Sequence, residues 1–365
     1  MLVVGTVGAQ TAPAPAAAPS AAPDAEPALT WHDVHGWGVE GRAWEDLDRL
    51  RWFDRLPAVA KGKVTENVWN LSRDSAGMLV HFRTDATTIW ADYTLRKEKL
   101  AGANMTAIGA SGLDLYARDD SGRWRWAGVT RPAATQVRQQ IVSDLAPGLR
   151  EYALYLPLFN GIEQLAIGVP PDAEFTGIAP RSEKPIVFYG TSITHGASAS
   201  RPGMTHPAIL GRRLNLPVIN LGFSGNGRMD AAVGELLVKI DAAVYVIDCL
   251  PNMGAALVRE RCLPLVRQLR AARPDTPIVL VEDRRNANAW ILPSREQHHT
   301  DNHAALRECF DALQAEGVSG LHYLPGDDLI GSDSEGTTDG SHPNDLGFVR
   351  QADVFEPVLR AALGR

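Results

Sequence analysis

The sequence predicts an α/β protein in which a doubly wound parallel sheet is preceded by an antiparallel β-sandwich. The length of 365 residues exceeds one ordinary domain core, so two domains are expected. Short runs with alternating apolar and polar residues fill the first half, and this period is typical of antiparallel strands. Continuous apolar runs alternate with amphipathic stretches in the second half, as in a parallel sheet covered by helices. We expect the sandwich at residues 29–178 and the α/β domain at residues 183–365.

The first 28 residues are expected to form neither domain. Met1–Gln10 is similar to the end of a secretory hydrophobic region, although no basic residues precede it. Residues 11–27 consist almost entirely of Ala and Pro and predict a tether that carries no chemistry. We therefore expect a secreted or periplasmic protein, with a cytoplasmic location as the alternative.

Runs rich in aromatic and β-branched residues predict the strands of the sandwich. The turn residues Asp119–Gly122 separate two of these runs. Tryptophans in such strands are usually core residues, but Trp69, Trp90 and Trp126 could also stack on sugar rings. The predicted strands are Met78–Arg83, Thr88–Tyr93, Arg123–Gly128, Glu151–Pro157 and Gln164–Val169.

Apolar runs of strand length predict the parallel sheet of the α/β domain. Two amphipathic stretches, Ala255–Arg273 and about Asp301–Gly317, predict its helices. Binding sites in such sheets form at the carboxyl ends of the strands, so polar residues just after each strand are candidates for the site. The predicted strands are Pro185–Gly190, Val218–Leu221, Ala243–Asp248 and Pro277–Glu282.

The first of these strands leads directly into Ser192. In Phe188–Gly196, the serine comes shortly after Gly190, which allows a sharp turn from strand to helix. The hydroxyl would then face the edge of the sheet where substrates bind. The alternative is that Ser192 or Thr191 only caps the helix.

Two more polar segments come after the next two strands. Asn220–Gly227 is rich in glycine, which lets backbone N–H groups approach a ligand closely. Its Gly-x-x-Gly-x-Gly order differs from the Gly-x-Gly-x-x-Gly of dinucleotide-binding loops, so nucleotide binding is not expected. Ile247–Asn252 ends in an amide that can donate a hydrogen bond, although Asn is also a common turn residue.

A carboxylate and an imidazole lie close together near the C-terminus, in Thr338–Asn344. Asp339 can orient the ring of His342 and stabilise its protonated form while the other ring nitrogen faces a serine. The alternative is an Asp-Gly turn and an exposed histidine after it. A doubly wound fold can bring all these segments together, because they come after strands of one sheet or lie in the final loop.

In their order and spacing these segments resemble the four sequence blocks of the SGNH (GDSL-type) hydrolases, from about residue 185 to the C-terminus. The resemblance implies a flavodoxin-like sheet, with Ser192 as nucleophile, His342 as general base and Asp339 as the residue that orients the base. It also implies an oxyanion hole formed by the N–H of Ser192, Gly225 and Asn252. The reaction implied is acyl transfer through an acyl-enzyme, without a metal or other cofactor.

The chain departs from the SGNH pattern at two positions. Thr191 stands where the family usually has Asp, and Leu250–Met253 replaces Gly-x-Asn-Asp. Every group that the reaction needs is still present, but the loop geometry around Asn252 is left open. The α/β-hydrolase alternative is weakened because its Gly-x-Ser-x-Gly motif would require glycine where Thr194 stands.

The sandwich contains a second resemblance, in Ser111–Tyr116. This segment is similar to the Gly-x-Asp-Leu-Tyr signature of a jelly-roll-like domain that precedes SGNH esterase domains in some bacterial proteins. Such two-domain proteins resemble carbohydrate esterases, which remove acetyl groups from polysaccharides. The implied partner is a polysaccharide or small-molecule ester. The sandwich could bind glycan or form a wall of the active site.

Four other histidines are further candidates. His195 and His206 lie near Ser192 in the sequence and are candidates for substrate contacts, although His195 could equally cap or pack. His299 and His303 have the i, i+4 spacing of zinc proteases, but Thr300 stands where the catalytic Glu would be. We therefore expect a polar helix start there and no metal site.

Composition excludes other classes of function. The net charge of −7 and the scattered Lys and Arg residues do not favour a nucleic-acid partner. No run reaches the roughly 18 apolar residues of a membrane-spanning helix. The main hypothesis is an esterase for short acyl groups, acetyl above all, on carbohydrate. The alternatives are a lipase or thioesterase for longer chains and a non-catalytic glycan-binding protein; nothing indicates the oligomeric state.

Overall fold

The computed structural model describes residues 28–365, so the predicted leader and tether at residues 1–27 lie outside the described residues. The first part of the described chain contains the strands β1 (Thr30–Asp33), β2 (Leu79–Thr84), β3 (Ile89–Leu95), β4 (Asp114–Arg118), β5 (Trp124–Val129), β6 (Gln136–Val142), β7 (Arg150–Tyr155), β8 (Ile162–Val169) and β9 (Phe175–Ile178). They form two antiparallel sheets with the strand orders β1-β8-β3-β6 and β5-β4-β7-β2-β9. The predicted β-sandwich is therefore confirmed.

The period-two alternation of these strands produces the core between the two sheets. In β3 every second residue is buried, from Ile89 to Leu95, and its inward side chains pack against those of β2 and β7, such as Phe82 and Tyr152. Two short helices interrupt the strands. They are α1 (Glu66–Leu71) and α2 (Ala107–Ser111).

The second part contains the strands β10 (Ile186–Gly190), β11 (Val218–Gly222), β12 (Val244–Asp248), β13 (Ile278–Val281) and β14 (Leu321–Leu324). They form a parallel sheet with the order β11-β10-β12-β13-β14 and helices on both faces. This confirms the predicted doubly wound α/β fold. The helices are α3 (Ser192–His195), α4 (His206–Leu214), α5 (Ala231–Leu237), α6 (Ala255–Ala272), α7 (Pro293–Ala315) and α8 (Asp345–Ala362).

Helix α7 begins at Pro293, earlier than the predicted start near Asp301. Its first turns could not be predicted from the sequence, because they are polar and show no apolar periodicity. Single-turn 3-10 helices form at Val34–Gly36, Ala58–Ala60, Pro202–Met204, Leu250–Asn252 and Ala289–Ile291. Within residues 28–365, no helix has the length and apolar character needed to cross a membrane.

The sandwich and the α/β domain share apolar cores and buried charges. Trp44 and Leu56 of the N-terminal part pack into the same cluster as Tyr189 of β10. The fully buried guanidinium of Arg55 donates hydrogen bonds to the carbonyl oxygens of Asn220 at 3.0 Å and Gly222 at 2.8 Å. These bonds satisfy the carboxyl end of β11, so the sandwich directly supports the edge of the sheet where the candidate site lies.

Candidate active site

Ser192 lies at the tight turn between β10 and α3. A Cβ atom on Gly190 would lie 2.0 Å from Thr194 Oγ1 and 2.8 Å from the carbonyl oxygen of Asp248, so only glycine permits the helix to begin so close to the strand. Thr191 caps α3 by accepting the N–H of Ile193 at 3.3 Å. The cap is therefore Thr191, and the hydroxyl of Ser192 is left for another partner.

That partner is His342. The distance from Ser192 Oγ to His342 Nε2 is 2.9 Å, and the other ring nitrogen, Nδ1, lies 2.8 Å from Asp339 Oδ2. With a proton on Nδ1 that is donated to Asp339, the Nε2 atom accepts the hydroxyl proton of Ser192. The three side chains thus form one continuous hydrogen-bonded line, although the segment that contains Asp339 and His342 is distant from Ser192 in the sequence.

The backbone around Asp339 keeps its carboxylate ionised. Oδ1 of Asp339 accepts the N–H of His342 at 2.8 Å and the N–H of Ser341 at 3.0 Å. Partial burial alone would raise the pKa of Asp339, but the hydrogen bonds from the backbone and ring of His342 and from Ser341 lower the pKa to about 2. The carboxylate is therefore charged at neutral pH and can stabilise a protonated His342.

The two predicted oxyanion-hole residues from other strands also lie in this region. Gly225 has a φ of +70°, in the left-handed region that favours glycine. The side-chain oxygen of Asn252 accepts the N–H of Asn226 at 3.1 Å and of Gly227 at 3.2 Å in the orientation that satisfies both donors. In this orientation the Nδ2 group of Asn252 takes part in neither bond, and the loop containing Gly225 is tied to the end of β12.

A pocket of about 330 Å³ opens beside His342, and we call it the sandwich-side pocket. Most of its wall comes from the sandwich and the remainder from the α/β domain. Asn104 of the sandwich lies 3.4 Å from Asp339 Oδ2 through its Nδ2 atom. The sandwich therefore forms one wall of the site. The lining includes Lys97, Lys99, Asn104, Met105, Ala110 and Phe159 of the sandwich and Ala197, Ser224 and His342 of the α/β domain.

The structure does not bring His195 and His206 to this pocket, because both are fully buried. His195 stacks on Phe159 with ring centroids 4.1 Å apart, and burial, together with the charges of Arg55 and Lys97, keeps its pKa well below the usual value. Burial lowers the pKa of His206 to about 3. Neither ring is placed where a substrate could contact it, so the predicted substrate contacts are not supported.

Below Ser192, a buried hydrogen bond joins α3 to the sheet. Thr194 Oγ1 donates to Asp248 Oδ2 at 2.7 Å, and Asn220 Nδ2 donates to the carbonyl oxygen of Thr194 at 2.7 Å. Burial raises the pKa of Asp248 to about 7, although the bond from Thr194 opposes this shift. These bonds fix α3, and with it Ser192, against β11 and β12.

Arg284 supports the loop of Asp339 and His342 from behind, and sequence reasoning missed it. Its Nε atom donates to the carbonyl oxygen of Ser341 at 2.9 Å, and its guanidinium pairs with Asp283. Both residues come shortly after β13, where polar residues at a strand end could have indicated a role. Asn104 was also missed, and no sequence signal pointed to it, because it reaches the site from a loop of the other domain.

His299 and His303 face carboxylates of the segment after β13. His299 Nδ1 lies 3.2 Å from Asp283 Oδ2, and His303 Nδ1 lies 3.3 Å from Glu282 Oε2. In the described part of the chain, no three His, Cys, Asp or Glu side chains are grouped so that they could hold a metal ion.

The three tryptophans that could stack on sugar rings differ in exposure. Trp69 is buried, Trp90 is half-buried, and Trp126 is exposed with its Nε1 donating to Asp114 at 3.0 Å.

Comparisons with known protein families agree with this architecture. Residues 183–360 match the model of the GDSL-like lipase/acylhydrolase family. Residues 29–175 match the model of the GxDLY domain, described as the N-terminus of SGNH-hydrolase-type esterases. Among curated proteins, none matches the chain. The fold and the two matched models define an ester-hydrolysing enzyme.

Solved structures show the same arrangement of both domains. A GDSL-like lipase from Bacteroides ovatus is 33% identical, with a TM-score of 0.87 over 92% of this chain and 98% of that chain. The chain therefore belongs to the GDSL-like lipase/acylhydrolase family. A salicylyl-acyltransferase from a tetracycline biosynthetic pathway is 20% identical, with a TM-score of 0.72 over the same shares of the two chains. A family two carbohydrate esterase from Cellvibrio japonicus is 12% identical with a TM-score of 0.59, again over 92% and 98%. The last two likenesses show the fold alone.

Proposed function

We propose that this protein is a serine esterase that removes short acyl groups, acetyl above all, from carbohydrate esters. The observation that supports the proposal most strongly is the hydrogen-bonded line from Ser192 through His342 to Asp339, with distances of 2.9 and 2.8 Å. These distances lie within the range that a nucleophile, its general base and the orienting carboxylate require. The family to which the chain belongs supports the same chemistry.

In the proposed reaction Ser192 Oγ attacks the ester carbonyl carbon while His342 Nε2 takes the hydroxyl proton. The bond from the carbonyl carbon to the alcohol oxygen then breaks, and His342 returns the proton to the departing alcohol. Water repeats the sequence on the acyl-enzyme, giving a proton to His342, and Ser192 recovers a proton as the carboxylic acid leaves. The N–H groups of Ser192 and Gly225 and the Nδ2 group of Asn252 are the proposed donors to the oxyanion.

The lining of the sandwich-side pocket supports a short acyl group. Lys97, Lys99 and Asn104 make part of this lining polar, whereas a long alkyl chain would need an apolar lining throughout. A lipase or thioesterase for longer chains is the competing function. Rates on 4-nitrophenyl esters from acetyl to decanoyl distinguish the two, because a maximum at long chains would contradict the acetylesterase proposal.

The first test of catalysis is Ser192→Ala with 4-nitrophenyl acetate as substrate. Removal of the nucleophile should lower kcat by about 10⁴- to 10⁶-fold, because only binding and oxyanion stabilisation would remain. Ser198→Ala is the control, since the Ser198 hydroxyl is also buried but has no hydrogen-bond partner in the described residues. Equal and low activity of the wild type and the Ser192→Ala variant would support a non-catalytic glycan-binding protein instead.

The natural substrate is proposed as an acetylated polysaccharide, to be identified by mass-spectrometric detection of acetate released from xylan, xyloglucan and pectin. Export to the periplasm or the medium is proposed from Met1–Gln10, which lies outside the described residues. Cell fractionation tests this location, and a cytoplasmic protein would contradict it.

A further inference from the structure

A second cavity, of about 270 Å³, borders the candidate site without sharing a lining residue with the sandwich-side pocket. Two of its lining residues are the immediate neighbours of site residues: Pro251 precedes Asn252, and Ser341 precedes His342. Most of the remaining wall comes from the segment 286–298, through Asn286, Ser294, Arg295 and His298. We call this cavity the α/β-side pocket.

The segment that forms this pocket is fixed relative to His342. The N–H of Ala287 donates to the carbonyl oxygen of Gly340 at 2.9 Å, and Ser334 Oγ donates to the carbonyl oxygen of Ala287 at 2.8 Å. The N–H of Asn286 donates to His299 Nε2 at 3.1 Å, which anchors the segment to α7. A ligand held by this segment would therefore have a defined position relative to the base.

Trp290 stands on the same segment with 76% of its surface exposed, the largest exposure among the large hydrophobic residues of the described chain. Its neighbour Ala289 is buried and anchors the 3-10 turn on which the indole lies. Within residues 28–365 no side chain stacks on the Trp290 ring and no acceptor binds its Nε1 atom. Trp126, by contrast, is hydrogen-bonded to Asp114 and covered by the guanidinium of Arg201 at 5.4 Å. An exposed indole without a partner is free to stack on a ligand.

The chemistry of the two features is complementary to a sugar ring. A pyranose has an apolar C–H face, which an indole can cover, and a rim of hydroxyl groups that both donate and accept hydrogen bonds. Arg295 supplies donors, and Asn286, Ser294 and His298 supply donors and acceptors, at the rim of the pocket. The pocket thus offers hydrogen bonds, and Trp290, which stands on the same segment but outside the pocket lining, offers the apolar face.

We propose that the α/β-side pocket and Trp290 bind the alcohol part of the ester as a pyranose ring of an oligosaccharide. This inference rests on the proposed function, because it assigns the leaving-group side of the same site. The acyl group would occupy the sandwich-side pocket, and the sugar would leave from the α/β side after the proton transfer from His342. The substrate class is therefore an acetylated oligosaccharide whose acylated ring is the leaving group.

The test compares kcat/KM on two substrates that differ in their alcohol part. Trp290→Ala should lower kcat/KM for acetylated xylo-oligosaccharides of four or more residues by about tenfold, because a stacking platform is lost. The same variant should change kcat/KM for 4-nitrophenyl acetate by less than about twofold. Trp290→Phe keeps a ring and should recover most of the loss. Ile291→Ala is the matched control, because it removes an exposed aliphatic side chain from the same turn and should leave both rates unchanged.

Three kinetic outcomes would overturn the inference. Equal losses on both substrates would mean that Trp290 serves only the fold. An unchanged rate on the oligosaccharide, or weaker adsorption of Trp290→Ala to phospholipid vesicles with unchanged oligosaccharide kinetics, would assign the indole to another partner. Hydrolysis of 4-nitrophenyl acetate without any hydrolysis of acetylated oligosaccharides from xylan, mannan or pectin would end this inference and the carbohydrate part of the proposed function, and would leave only the serine-esterase chemistry.

A wild type without activity on any ester would contradict the proposed function itself. The inference would then be tested separately, by calorimetric binding of xylohexaose to the wild type and to Trp290→Ala. Binding that is lost in the variant supports the inference, and equal or absent binding overturns it.

Discussion

The two signature segments of this protein, Gly112–Tyr116 in the sandwich and Gly190–Thr194 in the α/β domain, both place a buried polar side chain near the contact between the domains. Asp114 of the first segment is saturated: it accepts hydrogen bonds from Trp126 Nε1 at 3.0 Å, Arg201 Nη1 at 2.9 Å and the N–H of Gly203 at 2.8 Å. The side chain of Ser192 in the second segment has one partner, His342, and the ring of His342 lines an open pocket. A polar group whose capacity is filled by the protein stabilises structure, whereas one with spare capacity at a cavity is available for chemistry.

This difference explains the role of the Gly-x-Asp-Leu-Tyr segment in this protein. Asp114 and Tyr116 bind Arg201, which lies after α3 in the loop that leads to α4. A Cβ atom on Gly203 would lie 2.5 Å from the ring of Tyr116, so the loop packs tightly on the signature. The segment is thus a clamp between the domains, and it acts on the loop whose residue Ala197 lines the sandwich-side pocket.

The largest effect on stability is expected from Asp114→Ala. Removal of the carboxylate leaves Arg201 without its main counter-charge in a largely buried position, and loss of one partner of such a pair costs about 3 to 5 kcal/mol in the free energy of unfolding. Urea denaturation measures this loss. Asp92→Ala removes the exposed partner of Arg138 and should cost less than about 1 kcal/mol. Equal effects of the two variants, or a larger loss of stability in Ser192→Ala, would remove the distinction between the two signatures.

Asn252 sharpens the comparison, because one side chain combines both roles. Its oxygen binds the loop of Gly225, and its Nδ2 group is the proposed oxyanion donor. Asn252→Ala should lower kcat on 4-nitrophenyl acetate by about 10²- to 10³-fold. Asn252→Asp keeps the oxygen that accepts from Asn226 and Gly227 but has no donor, so it should lose as much activity while keeping the melting temperature. Wild-type activity in Asn252→Asp would exclude Asn252 as the donor.

A second saturated carboxylate of the sandwich, Glu40, should appear in the acid stability. Burial opposes its ionisation, but hydrogen bonds and the charge of Arg181, with His81 nearby, lower the pKa of Glu40 to about 2 from a usual 4.5. Because the folded-state pKa lies below the unfolded one, this stabilisation is complete above the unfolded pKa and is lost as the pH falls towards 2.

The difference in unfolding free energy between the wild type and Glu40→Gln should therefore shrink by about 3 kcal/mol between about pH 6 and pH 2. Urea denaturation across this range measures it. Glu163→Gln is the control, since Glu163 pairs with Arg51 at a more exposed position. A difference for Glu40→Gln that does not vary with pH would show that its pKa is not lowered in the folded protein.

The sequence predicts the residues with chemical roles better than the buried contacts between the domains. The strands, the doubly wound sheet and the positions of Ser192, Gly225, Asn252 and the Asp339–His342 pair could be inferred, because each lies in a local pattern at a strand end or in the last loop. The burial of His195 and His206 could not, since it depends on Phe159 and Arg55 of the other domain in one case and on the aromatic residues of α8 in the other. Tertiary contacts between segments distant in sequence leave no periodicity to read.

Asn104 gives the smallest expected effect on kcat. It tests the comparison between the domains directly, because it is a sandwich residue that contacts Asp339 of the α/β domain. Its Nδ2 atom reaches Asp339 Oδ2 at 3.4 Å, longer than the bonds from Ser341 and His342 that already stabilise this carboxylate. Asn104→Ala should therefore lower kcat on 4-nitrophenyl acetate by about fivefold or less. Glu98→Ala, an exposed change in the same segment, should have no effect on kcat. A loss of kcat as large as that of Asn252→Ala would mean that the sandwich contributes to the reaction itself. It would contradict the interpretation that the sandwich only joins the domains and forms a wall of the site.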